Sequence, residues 1–290
     1  MSSHFVRMVS KKEKLMDEIM IKEKIEKGRA WLRTGYGEED HPDYQTDQQL
    51  KKKQPPLVKE AMSENVIGLP TDFEGIEVET DFLTIVNRRS SHRVYTGESM
   101  SLKQLSYLLW CIQGVKEIRG KSYATLRTVP CGGARHPFET YMAIQNVEGL
   151  KDGLYHYLPM GHKIELLKEP EDLKGFIGTS LMGQVWAEKG NVVFYFSIVF
   201  YRSEWRYGIY AHRGLMTDAG HITENLYLAL TALGLGGCAI GAVDGRYCDQ
   251  VFGLDGEEES IVYAMPSGTV SEEDRQKEQD FYAFVKEQGL

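Results

Sequence analysis

Three arginines and two serines fall between positions 88 and 93, in Asn87-Arg-Arg-Ser-Ser-His-Arg93. Guanidinium forks match phosphate oxygens two at a time, and serine hydroxyls fill the remaining contacts. Taken alone, the segment reads equally as a phosphate clamp or as a solvated basic turn. In Arg127-Thr-Val-Pro-Cys-Gly-Gly-Ala-Arg-His-Pro137, prolines 130 and 137 bracket Cys131-Gly132-Gly133. Glycines let backbone N–H groups come close to a flat ligand, although a tight loop accounts for the pattern as well. Gly234-Leu-Gly-Gly-Cys-Ala-Ile-Gly241 looks like a dinucleotide fingerprint but has the wrong context. That fingerprint follows a strand and opens a helix. Here the glycines follow a helical pattern and open an extended one, so a turn presenting backbone N–H groups is the reading that survives. In Tyr201-Arg-Ser-Glu-Trp-Arg-Tyr-Gly208, Arg206 and Tyr207 are candidates for handling a proton or an anionic substrate, against a surface loop with aromatic packing.

Other chemistries lack their residues. No His-x-x-x-His or His/carboxylate spacing suggests a metal. The four cysteines (111, 131, 238 and 248) show neither zinc spacing nor a disulfide framework. Gly-x-Ser-x-Gly is absent, and no base adjacent to Cys131 can be named. A net charge of −8 argues against nucleic acid, whose binders need clustered cations. The apolar run from Asn191 to Phe200 is too short to span a bilayer, which takes roughly 20 residues. The first residues lack the apolar core of a signal peptide, so the cytoplasm is the expected compartment.

The elements that must position these groups follow from periodicity. Residues 1 to about 33 read as one surface helix. Residues 34–80 hold Gly35, Gly37, Pro42, Pro55, Pro56, Gly68 and Pro70, an arm of unusual length with few apolar runs. Two regions are therefore expected: residues 1–79, a helix plus an arm wrapping a second subunit, and residues 80–290, the ligand-binding domain. Ser101-Leu-Lys-Gln104 has the form of a capping box opening a helix that stops at Gly114. Strands are expected at 138–144, at 153–158 and 163–167 around a Pro159-Met-Gly161 turn, and at 191–200, 238–243 and 260–265. Helices are expected at 173–187 and 217–233. The fold class is α+β: helices on a mostly antiparallel sheet.

The order of these segments resembles the nitroreductase superfamily, and within it the SagB-type branch that includes azoline dehydrogenases. Arg88-Arg-Ser-Ser-His-Arg-Val-Tyr95 resembles that branch's arginine–serine opening, and Leu102 to Trp110 the helix that follows. Arg127 to Glu139 resembles its Pro-Ser-x-Gly-Ala-Arg-His-Pro loop. Gly153 to Tyr157, Gly183-Gln184, Asp218 to His221 and Ala232 to Gly241 match as well, and the similarity runs from about residue 28 to 268. The resemblance implies a homodimer with two FMN sites at the subunit interface. It assigns the phosphate and ribityl chain to Arg89, Ser90 and Ser91, with Arg88 or Arg93 nearby. It has Pro130, Cys131, Gly132 and Gly133 line the isoalloxazine from the partner subunit. It has Ala239, Ile240 and Gly241 bring a backbone N–H to flavin N5, and Gln184 stand near the flavin.

Three departures stand out. Cys131 occupies a serine position, Arg206-Tyr207 stands where azoline dehydrogenases tend to carry Lys-Tyr, and no basic phosphate ligand is evident after Gly268. Arginine does not shed its proton as a buried lysine can, so a base at this point would have to be Tyr207. The implied activity is ping-pong hydride transfer through FMN on a small-molecule or peptide substrate, with NAD(P)H as a possible donor. Two alternatives stay open: an azoline dehydrogenase working with a partner cyclase, and a flavin-binding protein without turnover.

Overall fold

The computed structural model describes residues 11–33 and 43–289. The start of the expected N-terminal helix, and Gly35, Gly37 and Pro42 of the arm, lie outside these residues. The chain divides into two compact units, Met1–Gln45 and Thr46–Leu290. The first contains helix α1 (Lys11–Arg33). Residues 46–80 of the expected arm thus belong to the second unit.

The second unit runs β1 (Val66–Gly68), α2 (Phe82–Arg88), α3 (Leu102–Gln113), β2 (Val115–Arg119), β3 (Ala124–Arg127), β4 (Phe138–Ile144), β5 (Gly153–Leu158) and β6 (Lys163–Lys168). It continues with α4 (Leu173–Ser180), β7 (Val192–Val199), α5 (Phe200–Tyr207), α6 (Ala211–Ala232), β8 (Leu235–Gly237), α7 (Gly245–Phe252), β9 (Glu259–Thr269) and α8 (Glu272–Glu287). Seven strands form one sheet in the order β1-β6-β5-β4-β7-β9-β8, and every pairing in it is antiparallel. Strands β2 and β3 make a separate hairpin.

The sheet is covered on both faces. Along β7 successive side chains alternate between them, as strand geometry requires. Val192, Phe194, Phe196 and Ile198 join the core that holds Leu105 and Leu108 of α3 and Leu226 and Leu230 of α6. Val193 and Tyr195 join the opposite core with Phe176 and Ile177 of α4 and Cys248 and Phe252 of α7. Ser101 and Gln104 cap α3 reciprocally, the box read from the sequence. No helix among the described residues is long and apolar enough to cross a membrane.

Four local readings change. The expected 173–187 helix breaks after Ser180, where Met182 and Gly183 take positive φ of 56° and 82°, and resumes as a 3-10 turn, Val185–Lys189. The expected 238–243 strand is instead β8, three residues earlier, followed by a single bridge from Ile240 to Ala264. Glycine decides that shift. A Cβ on Gly236 would lie 2.7 Å from the Cβ of His92, so the strand pairs where the chain has no side chains. Residues 200–207 are helix α5, not a loop, ended by Gly208 at φ 52°. The polar tail is helix α8, capped by Ser271, whose side chain accepts the Asp274 N–H.

A chain of buried charges ties the arm to the sheet. His156 is fully buried between two carboxylates, 2.8 Å from Glu165 and 3.3 Å from Glu139. Burial alone would lower its pKa, but hydrogen bonds and charge from both glutamates outweigh it and raise it, so the imidazolium is favoured. Glu139 also pairs with Arg202 at 2.6 Å. Glu165 accepts the backbone N–H groups of Met62 and Ser63 from the arm. Lys59 reaches Glu259, Tyr141 and, through its own N–H, Glu139.

Removing one partner from a buried ion pair costs about 3–5 kcal/mol because it strands the other charge. Glu165→Gln should therefore lower the urea unfolding free energy by that order. A loss below about 1 kcal/mol would show that the chain of charges does not hold the arm.

Candidate functional site

The arginine–serine segment follows α2 directly. Arg88 is the last helical residue and Arg89 the cap. The segment therefore leaves the carbonyl end of a helix, so any phosphate must be held by side chains and not by a helix N-terminus. The loop is pinned from behind. His92 N–H donates to the Gly237 carbonyl at 2.9 Å, and the Tyr95 hydroxyl donates to His92 and Pro266 carbonyls. What remains open is a cavity of about 690 Å³ lined by residues 87–92 with Glu272, Arg275 and Gln279. That volume suits a small-molecule site.

Arg275, beyond Gly268, is a cation at this cavity that the sequence reading did not single out. It stands one turn into α8, lines the cavity, and donates to the Gly234 carbonyl at 3.0 Å. In the sequence it is hidden behind the acids Glu272, Glu273 and Asp274, and only the helix signature Ser271-x-x-Asp274 could have located it. The local field is positive in a chain of net charge −8. Burial and then the charges of Arg275 and Arg89 push the His92 pKa down to about 4, leaving a neutral imidazole 2.9 Å from the Ser90 hydroxyl.

Tyr227 of α6, which the sequence reading did not single out, joins this loop to the glycine-rich segment. Its hydroxyl lies 3.1 Å from Ser91 Oγ and accepts the Ala239 N–H at 2.8 Å, while the Arg89 guanidinium lies over its ring. The segment Ala239-Ile240-Gly241 was expected to bring a backbone N–H to flavin N5. Ala239 gives its N–H to Tyr227, and Ile240 gives its N–H to the Ala264 carbonyl at 2.7 Å. Gly241 is exposed, and its N–H has no acceptor among the described residues. Arg93 does not line the cavity; its guanidinium lies over Trp186. Gln184 is not brought to the cavity either, and its amide donates to the Leu181 carbonyl.

The Pro130 loop forms a second cluster. Asp218 of α6 holds it by accepting the Cys131 thiol at 3.0 Å and the Gly132 N–H at 3.2 Å. Gly133, Ala134 and His136 all take positive φ, so the loop's shape is imposed by its surroundings. A Cβ on Gly133 would lie 2.5 Å from the Tyr207 hydroxyl and 2.6 Å from Arg206 Nε. Arg206 and Tyr207 thus pack on the glycine turn. The Arg206 guanidinium also donates to the Tyr123 hydroxyl. Asp218 and Tyr227 are nine residues apart on α6, about 13 Å along its axis at 1.5 Å per residue.

Comparison with known proteins follows the same outline. The model of the nitroreductase family matches residues 85–269. A Methanocaldococcus jannaschii protein carrying the nitroreductase name is 31% identical over 176 residues, 61% of this chain and 83% of that one. The trifolitoxin-processing protein TfxB of Rhizobium leguminosarum bv. trifolii is 30% identical over 142 residues. That match takes in 48% of this chain but spans only 38% of TfxB. A nitroreductase crystal structure from Ralstonia eutropha superposes with a TM-score of 0.57 at 26% identity, covering 76% of this chain and 96% of that one.

Burial and the Asp218 carboxylate push the Cys131 thiol far above its ordinary range. Only the thiolate is nucleophilic. Iodoacetamide at pH 8 should label Cys131 at least roughly tenfold more slowly in the folded protein than in urea, read by mass spectrometry. Equal rates would mean that Asp218 does not hold the thiol.

Proposed function

The chain belongs to the nitroreductase family, and we propose that it is an FMN-dependent oxidoreductase that works as a homodimer. The observation that carries this reading is the cavity where Arg88, Arg89 and Arg275 meet the hydroxyls of Ser90 and Ser91. Three guanidinium groups around one space suit a dianionic phosphate. The open Gly241 N–H, in the segment linked to that cavity through Tyr227, suits a hydrogen-bond acceptor on the same ligand.

When bound, the flavin supplies the hydride chemistry, taking electrons from a donor such as NAD(P)H and passing them to an acceptor. The protein's part is to hold and orient. Arg88, Arg89 and Arg275 neutralise the phosphate, and Ser90 and Ser91 orient it. Gly132 and Gly133 offer a face without side chains to a flat ring, and Arg206 places positive charge beside that face. In the proposed homodimer one protomer's phosphate cavity faces the other's Pro130 loop.

The TfxB match favours a second reading, oxidation of azoline rings in a modified peptide. Arg206 in the place of lysine means that this reading needs another base.

One preparation separates these readings. Protein purified with FMN should be yellow, and NAD(P)H should bleach it if the nitroreductase reading holds; bleaching by a thiazoline peptide alone selects the second. Arg275→Ala should weaken FMN binding roughly tenfold or more, since a charge-assisted hydrogen bond is worth about 1.5–3 kcal/mol. Colourless protein that binds no FMN in a fluorescence titration overturns both.

Residues 46–63 are fastened to their own body, so we further propose that the N-terminal unit, residues 1–45, is what reaches the second subunit. Deleting residues 1–45 should then shift the protein toward monomer in light scattering, and an unchanged dimer would refute this.

A further inference from the structure

The hairpin between β2 and β3 carries Tyr123, a residue that lies outside every motif noted in the sequence. Its hydroxyl oxygen is met by two donors, the Arg206 guanidinium and the Gln48 amide, the latter at 3.0 Å. The Arg135 guanidinium lies 4.7 Å from the ring centroid and donates to the Tyr123 carbonyl at 2.9 Å. Gln54 of the arm donates to the same carbonyl at 3.1 Å. The ring is therefore held on its face, at its oxygen and at its backbone.

This pattern is the reverse of a structural tyrosine. Tyr95 and Tyr155 donate their hydroxyls to backbone carbonyls. Tyr123 receives two N–H donors, which together occupy the acceptor capacity of a phenol oxygen and suit the phenolate better. Burial would raise its pKa, but the Gln48 hydrogen bond and the charges of Arg206 and Arg135 outweigh that and lower it. The nearby carboxylates on these elements are already engaged: Asp47 with Lys52 and Tyr201, and Glu204 with His212. Tyr207 is a further titratable neighbour, its ring lying under Arg206.

Arg206 cannot serve as a base, because a guanidinium keeps its proton in proteins. It can hold a phenolate that does. Arg206 and Tyr207 pack on Gly133, in the loop read here as a flavin face, and Arg206 joins Tyr123 to that loop.

We propose that the Tyr123 hydroxyl oxygen is the proton-carrying group of this site, kept ready by Arg206 and by Gln48 of the arm. The proposal rests on the flavin reading. When a substrate H–C–X–H unit is oxidised, the C–H electron pair leaves with the hydride to the oxidised flavin. The X–H electrons form the new C=X bond, and the X–H proton passes to the phenolate, making a phenol. In the opposite half-reaction, when an acceptor takes a hydride from the reduced flavin, the phenol supplies the accompanying proton and becomes the phenolate again. Arginine in the lysine position then becomes intelligible, since the base is the phenolate that arginine stabilises.

The test uses the full-length protein with FMN. Tyr123→Phe should leave FMN affinity and the melting temperature close to wild type. Its kcat should fall by about 100-fold or more, the scale of lost acid–base catalysis. One ionisation should vanish from its pH–rate profile. Gln48→Leu, which removes one donor, should move that ionisation to higher pH. Ultraviolet titration of the flavin-free protein should show one tyrosine ionising below the others, absent in Tyr123→Phe. A variant with kcat within threefold of wild type and an unchanged pH profile overturns the proposal. So does a titration with no early-ionising tyrosine, which reads out even if no preparation binds flavin. Failure of wild type to bind flavin sinks the oxidoreductase reading instead.

Discussion

The buried series Glu165–His156–Glu139–Arg202 is the constraint on which the rest of the second unit depends. Its members alternate in sign, which is what allows them to lie in an interior where an isolated ion would be prohibitive. One end is set by the arm, whose Met62 and Ser63 amides are bound by Glu165. The other end is set by Arg202 of α5, which also donates to the His136 carbonyl at 3.2 Å. A single ionic series therefore joins the arm, the central sheet, α5 and the Pro130 loop. The side chains of α5 that matter chemically, Arg206 and Tyr207, follow one turn after Arg202, so their position is inherited from that series.

Helix α6 spaces the two clusters. Asp218 near its start holds the Pro130 loop, and Tyr227 further along holds the arginine–serine loop and the Ala239 N–H. An α-helix resists bending over two to three turns, so these loops keep a set separation. Asp218 is buried and Tyr227 half-buried, in a helix whose other buried positions are apolar apart from Thr223. Packing thus sets the orientation, and the two polar anchors convert it into loop geometry.

Charge works locally against the global balance. The chain is acidic overall, yet three arginines converge on one cavity and two more gather around Tyr123. Within a Debye length of about 8 Å the nearby guanidinium groups outweigh distant carboxylates. The depressed His92 pKa reports that field at the cavity.

Sequence alone determined much of this. Periodicity placed α3, α6 and the doubly buried β7, because each buries a face that must repeat at 3.6 or 2 residues. Spacing and residue type singled out the arginine–serine loop and the Cys131-Gly132-Gly133 turn. Those features are local, so a short stretch of chain carries them whole. Arg275, Tyr227, Tyr123 and the Glu165–His156–Glu139–Arg202 series were invisible for the opposite reason. Their partners lie far along the chain: Gln48 meets Tyr123 across 75 positions, and Ser91 meets Tyr227 across 136. Ile240 likewise gives its N–H to the Ala264 carbonyl, a partner 24 positions along the chain. Which donor is spent and which stays open is decided only when the strands pair, because a backbone N–H goes to whichever acceptor the tertiary fold brings within hydrogen-bond reach.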